Sequence, residues 1–400
     1  MTVSQTMPET ASVADAPPVS VSTHNIDEAF FTRVSSEYQA WRGLFDSDPA
    51  AQISQHPDFV LTELRYAEEV HPRPPVFVTC HRGENTRCAA ILIPKSIGGE
   101  KKFGPAWNLK GYRLSGNRLL GEATAEEQQQ LLNEVASVLS STRADFLLVE
   151  DLETTDPLMA LVESTSSLKL FRPRDPQRRL KIELPVTHDD YWAAFKSKTR
   201  STLRRKLRQF GECRLERISQ PEQVAHFLEQ AQQVSRNTWQ YEMLGERIQN
   251  DYAELAQFTL LATEGSLRSY LLWKDDEPLS FLYATQHNGV LNYEEVGYDR
   301  RFRKQAPGQM LLMKVLEELY DDDPPRVFDF GGGDAEYKRI FSNVESKSGN
   351  VWLLRPGLRS RMIVAYLSGR RRFAQGLRGA LAKTGLLDWV RRKTRRGMTS

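Results

Sequence analysis

Apolar residues recur at helical spacing directly after a sharp turn in the second half of the chain. Leu312, Val315, Leu316 and Leu319 share one face of a helix that is predicted to begin at Pro307. Proline suits the first helical position because it lacks an N–H that would have no partner there. The first turn contains no Asp or Glu. Its free amides and the positive end of the helix dipole are therefore predicted to hold an anion, typically a phosphate.

Strand-like runs surround this helix. Asn288-Gly289 is a strong hairpin signal, and a strand is predicted over 290–298 after it. A hairpin of strands 269–274 and 279–284 precedes this strand, and another strand, 326–330, follows the predicted helix. The second half therefore has the order hairpin, strand, helix, strand.

The first half has a similar order. Strands are predicted over 75–80 and 87–93, followed by a helix over about 125–140 and a strand over 145–149. The remaining segments are predicted as helices over 29–44 and 56–70, an irregular Gly-rich loop over about 98–121, and a helix near Pro157. Because hairpin, helix and strand occur twice, we expect an α/β fold with a mixed sheet, built from two similar units.

Two motifs in the second half suggest a family. Arg303-x-x-Ala306-x-Gly308 has the form Arg/Gln-x-x-Gly/Ala-x-Gly/Ala, and Gly331-Gly-Gly-Asp-Ala-Glu-Tyr-Lys-Arg-Ile-Phe341 follows the last strand. Small residues let backbone amides approach phosphate oxygens without obstruction by a Cβ atom. The pair of motifs resembles the GNAT acyltransferases, in the branch of the CelD/BcsL-type acetyltransferases, and is similar to the related Fem aminoacyltransferases. The resemblance covers residues 180–355 well and the first half weakly.

This resemblance implies two tandem GNAT-like domains, over 26–180 and 181–354, between a disordered leader (1–25) and a basic helical tail (355–400). It also implies acetyl-CoA or another acyl-CoA as the co-substrate. The residues expected to bind it are Tyr298, Arg303, Gln305, Ala306, Gly308 and Gln309. Only the second unit carries the phosphate-turn pattern, so one active site is expected there, completed by the cleft between the halves.

Transfer of an acyl group from a thioester needs a nucleophile freed of its proton, a stabilised oxyanion and an acid for the thiolate. The resemblance implies Tyr337 as that acid; the alternative is a packed tyrosine. Lys338 is expected to stabilise the oxyanion or an acceptor phosphate. Asp334 belongs to the same motif, although we favour it as the N-cap of the Tyr337 helix. Glu294 is the expected general base, with water as the alternative.

The choice of Glu294 depends on strand geometry. In an uninterrupted strand, residues 292, 294, 296 and 298 share one face, and Glu295 points to the other. Asn292 has no basic group, which leaves Glu294 on that face.

A basic helix is predicted over 187–210, with Thr187 or Asp189 as its cap. It is interpreted either as a solvated face or as a patch for the CoA 3′-phosphate, an anionic acceptor or RNA. Arg200 and Arg204 are the candidates for substrate binding.

Charge is distributed unevenly along the chain. Residues 355–400 carry 13 Lys or Arg and one acid, Asp388, which leaves a formal charge of about −10 on the remainder. One predicted helix face contains residues 362, 363, 366 and 367, and a second contains Leu386, Trp389 and Val390. This tail is predicted either to bind an anionic membrane surface or to dock on the acidic body.

Other classes of protein are disfavoured. No run of eighteen apolar residues occurs, and the N-terminus lacks the features of a secretory signal. Cys80, Cys88 and Cys213 do not form a disulfide framework. The histidines are scattered without metal-ligand spacing, so no metal site is expected, and because no Gly-x-Ser-x-Gly elbow occurs, no Ser nucleophile is expected. A cytoplasmic location is expected, with the inner membrane surface as an extension of it.

The sequence thus predicts an acyl-CoA-dependent N- or O-acyltransferase, with acetyl-CoA as the expected donor. The expected acceptor is a small molecule or saccharide of a polysaccharide or cell-envelope pathway, and nucleic acid is not expected as a partner. Two alternatives remain open: a Fem-like enzyme that uses aminoacyl-tRNA, and a non-catalytic, membrane-associated partner of a polysaccharide synthase.

Overall fold

One thirteen-stranded mixed sheet runs through both halves of the protein. The computed structural model describes residues 17–67, 71–98, 108–238 and 248–383, together with Tyr241 and Gly245. The strands are β1 (Val19–Asn25), β2 (Val76–Arg82), β3 (Asn85–Ile97), β4 (Leu109–Leu114), β5 (Leu147–Glu153), β6 (Lys169–Phe171), β7 (Gln177–Glu183), β8 (Arg214–Ile218), β9 (Ser269–Lys274), β10 (Glu277–His287), β11 (Val290–Tyr298), β12 (Val327–Gly332) and β13 (Val344–Leu354).

The helices lie on both faces of this sheet. They are α1 (Glu28–Phe31), α2 (Ser36–Ser47), α3 (Pro57–Arg65), α4 (Ala125–Ser141), α5 (Pro157–Ser164), α6 (His188–Ala194), α7 (Ser197–Phe210), α8 (Val224–Arg236), α9 (Tyr252–Thr263), α10 (Pro307–Glu318), α11 (Glu336–Phe341) and α12 (Leu358–Lys383). None of the helices in the described residues is both long and apolar enough to cross a membrane.

The expected tandem α/β fold is confirmed by the strand pairing. In the first half, β2 and β3 form a hairpin, and β4 connects through α4 to its parallel neighbour β5. In the second half, β9 and β10 form a hairpin, and β11 connects through α10 to its parallel neighbour β12. The two halves are therefore two copies of one arrangement.

Strand β13 joins the copies. The strand order is β1-β2-β3-β4-β5-β13-β7-β12-β11-β10-β9-β8, with β6 also paired to β13. β13 thus pairs with β5 of the first half and with β7 of the second. The predicted domain boundary at residue 180 falls within β7, and the sheet continues across it.

Apolar clusters fill both faces. On one face, residues of α2, α3, α8 and α9 form a single core that includes Phe77 of the first hairpin and Phe281 of the second. On the opposite face, α4 and α5 cover the first half, and α6, α7, α10 and α11 cover the second. Packing on both faces stabilises the central strands.

Two predictions were wrong at the start of the chain. Val19–Asn25 forms β1, paired antiparallel with β2, so the leader predicted over 1–25 ends before this strand. Residues 1–16 of that leader lie outside the described part. The helix predicted over 29–44 is interrupted at Arg33, which has a φ of 61°, and becomes α1 and α2.

The loop predicted over 98–121 contains β4. Gly111 interrupts the apolar pattern of this strand, and its place explains why it is a glycine. A Cβ atom there would lie 2.2 Å from the Phe146 carbonyl oxygen. Close approach of a neighbouring backbone is a common reason for glycine within a strand.

The single basic helix predicted over 187–210 is two helices. Thr187 caps α6, as expected, by accepting a hydrogen bond from Asp190 N. The chain then turns at Phe195 (ψ 140°), whose ring packs on Tyr191 and Phe341 at centroid distances of 5.1 and 5.9 Å. Burial of this ring therefore breaks the helical periodicity before α7.

Candidate active site

The predicted phosphate turn lies between β11 and α10. A 3-10 turn over Arg300–Gln305 leads to Ala306, which is left-handed with φ 53° and ψ 51°, and Pro307 is the first residue of α10 as expected. A left-handed non-glycine residue costs about 1 kcal/mol, and such local strain is common at ligand sites. No side chain caps α10, and its first turn has no acid. The amides of Gln309 and Met310 donate to the Ala306 carbonyl, at 3.0 and 3.1 Å, so the Gly308 amide is the one open to an anion.

Two lysines from other elements contact the side chains of this turn. Lys206 of α7 donates to Gln309 Oε1 at 2.6 Å. Lys274, at the end of β9, lies 3.3 Å from Gln305 Oε1 and also donates to the Phe210 carbonyl. Together with exposed Arg303, they make the surroundings of the turn positive. This donor set suits the phosphates of a nucleotide-bearing thioester.

Neither lysine was among the residues predicted to bind the co-substrate. Lys206 lies in the basic run of α7, but its sequence position does not show which side of the helix faces the turn. Lys274 ends an ordinary apolar strand and has no signal in the sequence.

The equivalent place in the first half is closed. Thr124 and Glu127 form a reciprocal capping box at the start of α4, and Arg82 donates to Glu127 at 2.7 Å. Gln55, in the turn after α2, donates from Nε2 to the Arg118 carbonyl at 2.9 Å. This turn therefore occupies the space that follows β4. These contacts support the expectation of a single donor site, in the second half.

Strands β11 and β12 separate near the centre of the second half. They pair only from Val290 to Asn292, opposite Val327 to Asp329. Beyond this point the two strands are no longer hydrogen-bonded to each other. The separation leads toward the predicted phosphate turn at the end of β11, which is called the donor turn below. Such a gap gives a thioester access to both faces of the sheet.

A β-bulge lies at the same point. The register between β10 and β11 passes from Ala284–Tyr293 to Tyr283–Glu295, so Glu294 is the extra residue. Thr285 Oγ1 donates to Glu294 Oε1 at 3.1 Å.

This bulge corrects the face predicted for residues 292, 294, 296 and 298. Asn292 pairs with Thr285 and Val296 pairs with Leu282. Positions 282 and 285 point to opposite faces of β10, so 292 and 296 do as well. The alternation that we expected requires an uninterrupted strand.

Polar side chains cross the middle of the sheet on one face. Residues that are paired across neighbouring strands point to the same side. We name this set the polar row: Glu153, Ser348, Ser346, Arg179, Lys181, Asp329, Asn292 and Thr285. It runs over six strands, from β5 of the first half to β10 of the second.

The charges within the polar row are paired with one another. Arg179 Nε lies 2.9 and 3.1 Å from the two carboxylate oxygens of Asp329, which is 4% exposed. Lys181 contacts Glu153 and lies 3.7 Å from Asp329. Asp329 also accepts a hydrogen bond from Gly331 N at 2.8 Å, which holds the start of the Gly-rich turn. These contacts provide hydrogen-bond partners for both oxygens of the buried carboxylate.

Two titratable groups near the polar row have perturbed pKa values. Glu294 is exposed to solvent yet lined by protein on several sides; this desolvation raises the pKa of Glu294, while the Thr285 hydrogen bond opposes it and the Asp329 charge adds to it. Burial lowers the pKa of Lys338, whose Nζ donates to the Phe330 carbonyl at 2.7 Å. Perturbed groups of opposite type in one place are common at active sites.

Tyr337 lies on the other side of the sheet, in the core that contains α10. Its ring packs on Phe330 at 6.2 Å and on Tyr293 at 6.4 Å. Burial raises the pKa of Tyr337, although its hydrogen bond with Tyr293 opposes this shift. Tyr337 is therefore protonated at neutral pH, as an acid for the thiolate must be. This position also fits the packing alternative.

Asp334 is not a helix cap. The N-cap of α11 is Ala335, and no side chain caps this helix. Asp334 instead lies 2.7 Å from Arg339 and 3.8 Å from Arg178. Ala335 has an extended backbone, so α11 begins after it and Ala335, not Asp334, occupies the N-cap position.

The two predicted substrate-binding arginines have different surroundings. Arg200 Nη1 lies 3.3 and 3.4 Å from the carbonyls of Trp192 and Ala193, so it closes the end of α6. Arg204 is exposed on α7. The described contacts join neither residue to the polar row, and their role in substrate binding stays a prediction. No group of three or more His, Cys, Asp or Glu in the described residues is placed to hold a metal ion.

Comparison with known proteins gives the class. Residues 197–339 match the family model described as "Acetyltransferase (GNAT) domain". This range begins at α7 and includes the donor turn, Glu294, Tyr337 and Lys338. The second half of the chain therefore carries a GNAT acetyltransferase domain, and the protein is an acyltransferase. No curated protein matches the sequence.

Three solved structures are similar to this chain. FemX is 12% identical, with coverage of 81% of this chain and 96% of that chain and a TM-score of 0.58. A tandem GNAT protein from the clavulanic acid biosynthesis pathway is 14% identical, covers 85% and 99%, and has a TM-score of 0.47. L-PGS from Bacillus licheniformis is 13% identical, covers 72% and 86%, and has a TM-score of 0.46. Only the FemX likeness is strong enough to show a shared fold, and it does not select a substrate.

Proposed function

We propose that the protein transfers an acyl group, acetyl in the simplest case, from coenzyme A to a hydroxyl or amino group of a sugar-derived acceptor of a polysaccharide or cell-envelope pathway. The observation that carries this proposal is the uncapped start of α10. Its amides follow left-handed Ala306, and Lys206 and Lys274 make the surrounding surface positive. The same helix begins where β11 and β12 have separated.

The reaction places the donor and the acceptor on opposite sides of this gap. The pyrophosphate of the donor binds the amide of Gly308 at the start of α10, and its thioester reaches toward Tyr337. The acceptor binds over the polar row. Glu294 takes the proton of the attacking oxygen or nitrogen, the carbon–sulfur bond breaks, and Tyr337 gives its proton to the thiolate. Lys338, the neighbour of Tyr337 on α11, stabilises the oxyanion.

The polar row favours a neutral acceptor. Its two cations, Arg179 and Lys181, both have carboxylate partners, so little positive charge remains to attract an anion. Between them and next to them lie neutral hydrogen-bonding groups, Ser346, Asn292 and Thr285. Hydroxyl and amide groups of a saccharide match such a surface.

The test is the binding of acetyl-CoA to two variants of Gly308. A Cβ atom there would lie 3.5 Å from Tyr298 Cδ1, an ordinary contact, so Gly308→Ala keeps the turn intact and is the matched control. Gly308→Glu adds a negative charge at the phosphate position. By calorimetry, Gly308→Glu should lower affinity at least tenfold, about 1.4 kcal/mol, whereas Gly308→Ala should stay close to the wild type. Equal affinity of all three proteins would contradict the donor site.

An aminoacyl-tRNA donor is the second candidate, because the fold is shared with FemX. A folded wild-type protein that binds no acetyl-CoA but consumes charged tRNA would establish this alternative. A folded protein that binds neither donor would favour the non-catalytic partner of a synthase. Mass spectrometry of an acyl-CoA that copurifies with the protein would identify the transferred group.

A further inference from the structure

Helix α12 is fixed to the first half by one of its faces. Ile363 is 1% exposed and packs in a cluster with Phe146 and Trp352. Arg359 and Arg371 contact Asp145 and Asp175 on the body. The basic tail was predicted either to dock on the acidic body or to bind a membrane. This part of the tail docks on the body.

Another face of α12 is apolar and exposed. Leu358, Met362 and Phe373 are 75%, 49% and 62% exposed. With about 100° of rotation per residue, these three side chains lie within roughly 60° of one another around the helix axis. They therefore form an exposed apolar stripe along one side of the helix, in which Phe373 lies about three turns beyond Met362.

Arginines border this stripe. On the same helical projection, Arg361 and Arg372 lie along one edge and Arg370 along the other. The sequence of α12 contains no Asp or Glu. The basic surface continues onto the body, where a groove of about 280 Å³ lies between α12 and the segment after β6. The groove is lined by Phe171, Arg172, Pro173, Ser368, Arg371 and Arg372.

We propose that this face of α12 binds an anionic membrane surface. An apolar stripe bordered by arginines matches the boundary between acyl chains and phosphate headgroups, where the stripe enters and the guanidinium groups bind phosphates. Of the two predicted apolar faces of the tail, the one with Leu386, Trp389 and Val390 lies outside the described residues. The one with residues 362, 363, 366 and 367 is divided, because Ile363 is buried against the body whereas Met362 is exposed.

The test uses the full chain and vesicles of phosphatidylglycerol mixed with phosphatidylcholine. Met362→Glu/Phe373→Glu places two acids on the stripe. Val34→Glu/Val186→Glu makes the same kind of change at residues that are 80% and 94% exposed elsewhere, and it is the matched control. The wild type and the control should cosediment with these vesicles, and the stripe variant should bind at least about tenfold more weakly. Neutral phosphatidylcholine vesicles should not bind the wild type.

Equal binding of the wild type and the stripe variant would overturn the proposal, as would equal binding to neutral vesicles. Light scattering gives a further check: a wild-type dimer that the stripe variant abolishes would assign this face to a second copy of the chain instead. All of these readouts are independent of acyl transfer. A negative result for membrane binding therefore does not contradict the proposed reaction. A negative result for acetyl-CoA binding likewise does not contradict membrane binding by α12.

Discussion

At the scale of single residues, Glu294 is the candidate for the general base. It is the bulged residue of β11, and desolvation by the surrounding protein together with the Asp329 charge raises its pKa. We predict that Glu294→Gln lowers kcat about 10²–10⁴-fold, the usual contribution of a general base. The wild-type rate should rise with pH through the raised pKa of Glu294, and the variant should lose this rise. An unchanged pH–rate profile would assign the proton to water.

The same carboxyl group affects stability with a definite sign. A carboxyl whose pKa is raised in the folded protein stabilises it below the ordinary value of about 4.5 and loses that contribution as the pH rises through the raised pKa. Glu294→Gln keeps an acceptor for Thr285 but does not titrate. We therefore predict that the variant melts at a higher temperature than the wild type at neutral pH, with the difference shrinking in acid. Thermal melts across this range would check it, and a lower melting temperature of the variant at neutral pH would contradict it.

Tyr337 can be separated from its packing role by removing one oxygen atom. Tyr337→Phe should keep donor affinity and lower kcat about 10²–10⁴-fold, because the ring contacts with Phe330 remain while the proton donor is lost. Tyr320→Phe is the matched control, since the Tyr320 ring packs against the same core and its buried hydroxyl has no hydrogen-bond partner. Steady-state kinetics would decide. Full turnover by Tyr337→Phe would make it a packing residue.

At the scale of elements, the Arg179–Asp329 pair ties β7 to β12 under the proposed acceptor site. Removing one partner of a buried ion pair leaves the other uncompensated, so Asp329→Ala should cost about 3–5 kcal/mol. Arg179→Ala/Asp329→Ala should cost less than the sum of the two single variants, because both charges are then gone. Urea unfolding of the four proteins measures this coupling. Strictly additive free energies would mean that solvent already screens the pair.

Local signals predicted the elements better than the site. Pro307 and Asn288-Gly289 specify their own backbone conformations, so the start of α10 and the β10–β11 hairpin could be predicted from the sequence. Strand β4 was missed because Gly111 serves a contact with Phe146, a residue far away in sequence. The polar row depends on the register of six strands, and its members read individually as ordinary polar positions.

The bulge at Glu294 also could not be predicted from the sequence. Strand alternation alone placed Glu294 on one face with residues 296 and 298. A register shift is a property of two strands together. Lys206 and Lys274 were missed for the same reason, because their nearness to the donor turn arises only when α7, β9 and α10 pack.

At the scale of the whole molecule, α12 packs on the middle of the sheet, where β5 meets β13. Ile363 is almost fully buried, whereas its neighbour Met362 is 49% exposed. Ile363→Ala should lower the free energy of unfolding by about 2–5 kcal/mol, the usual cost of truncating a buried aliphatic side chain. Met362→Ala should change it by less than about 0.5 kcal/mol. Chemical denaturation would compare them, and equal small effects would show that α12 is not docked in solution.

The position of β13 has a consequence for how the protein is made. A ribosome delivers β5 and β7 long before residues 344–354, so the edge of each strand that pairs with β13 stays open until β13 emerges. The nascent chain therefore carries two open sheet edges until nearly all of the described chain has been translated, and such edges attract other unpaired strands. Binding by a holdase chaperone would be strongest during this interval and would end when β13 emerges and fills the gap.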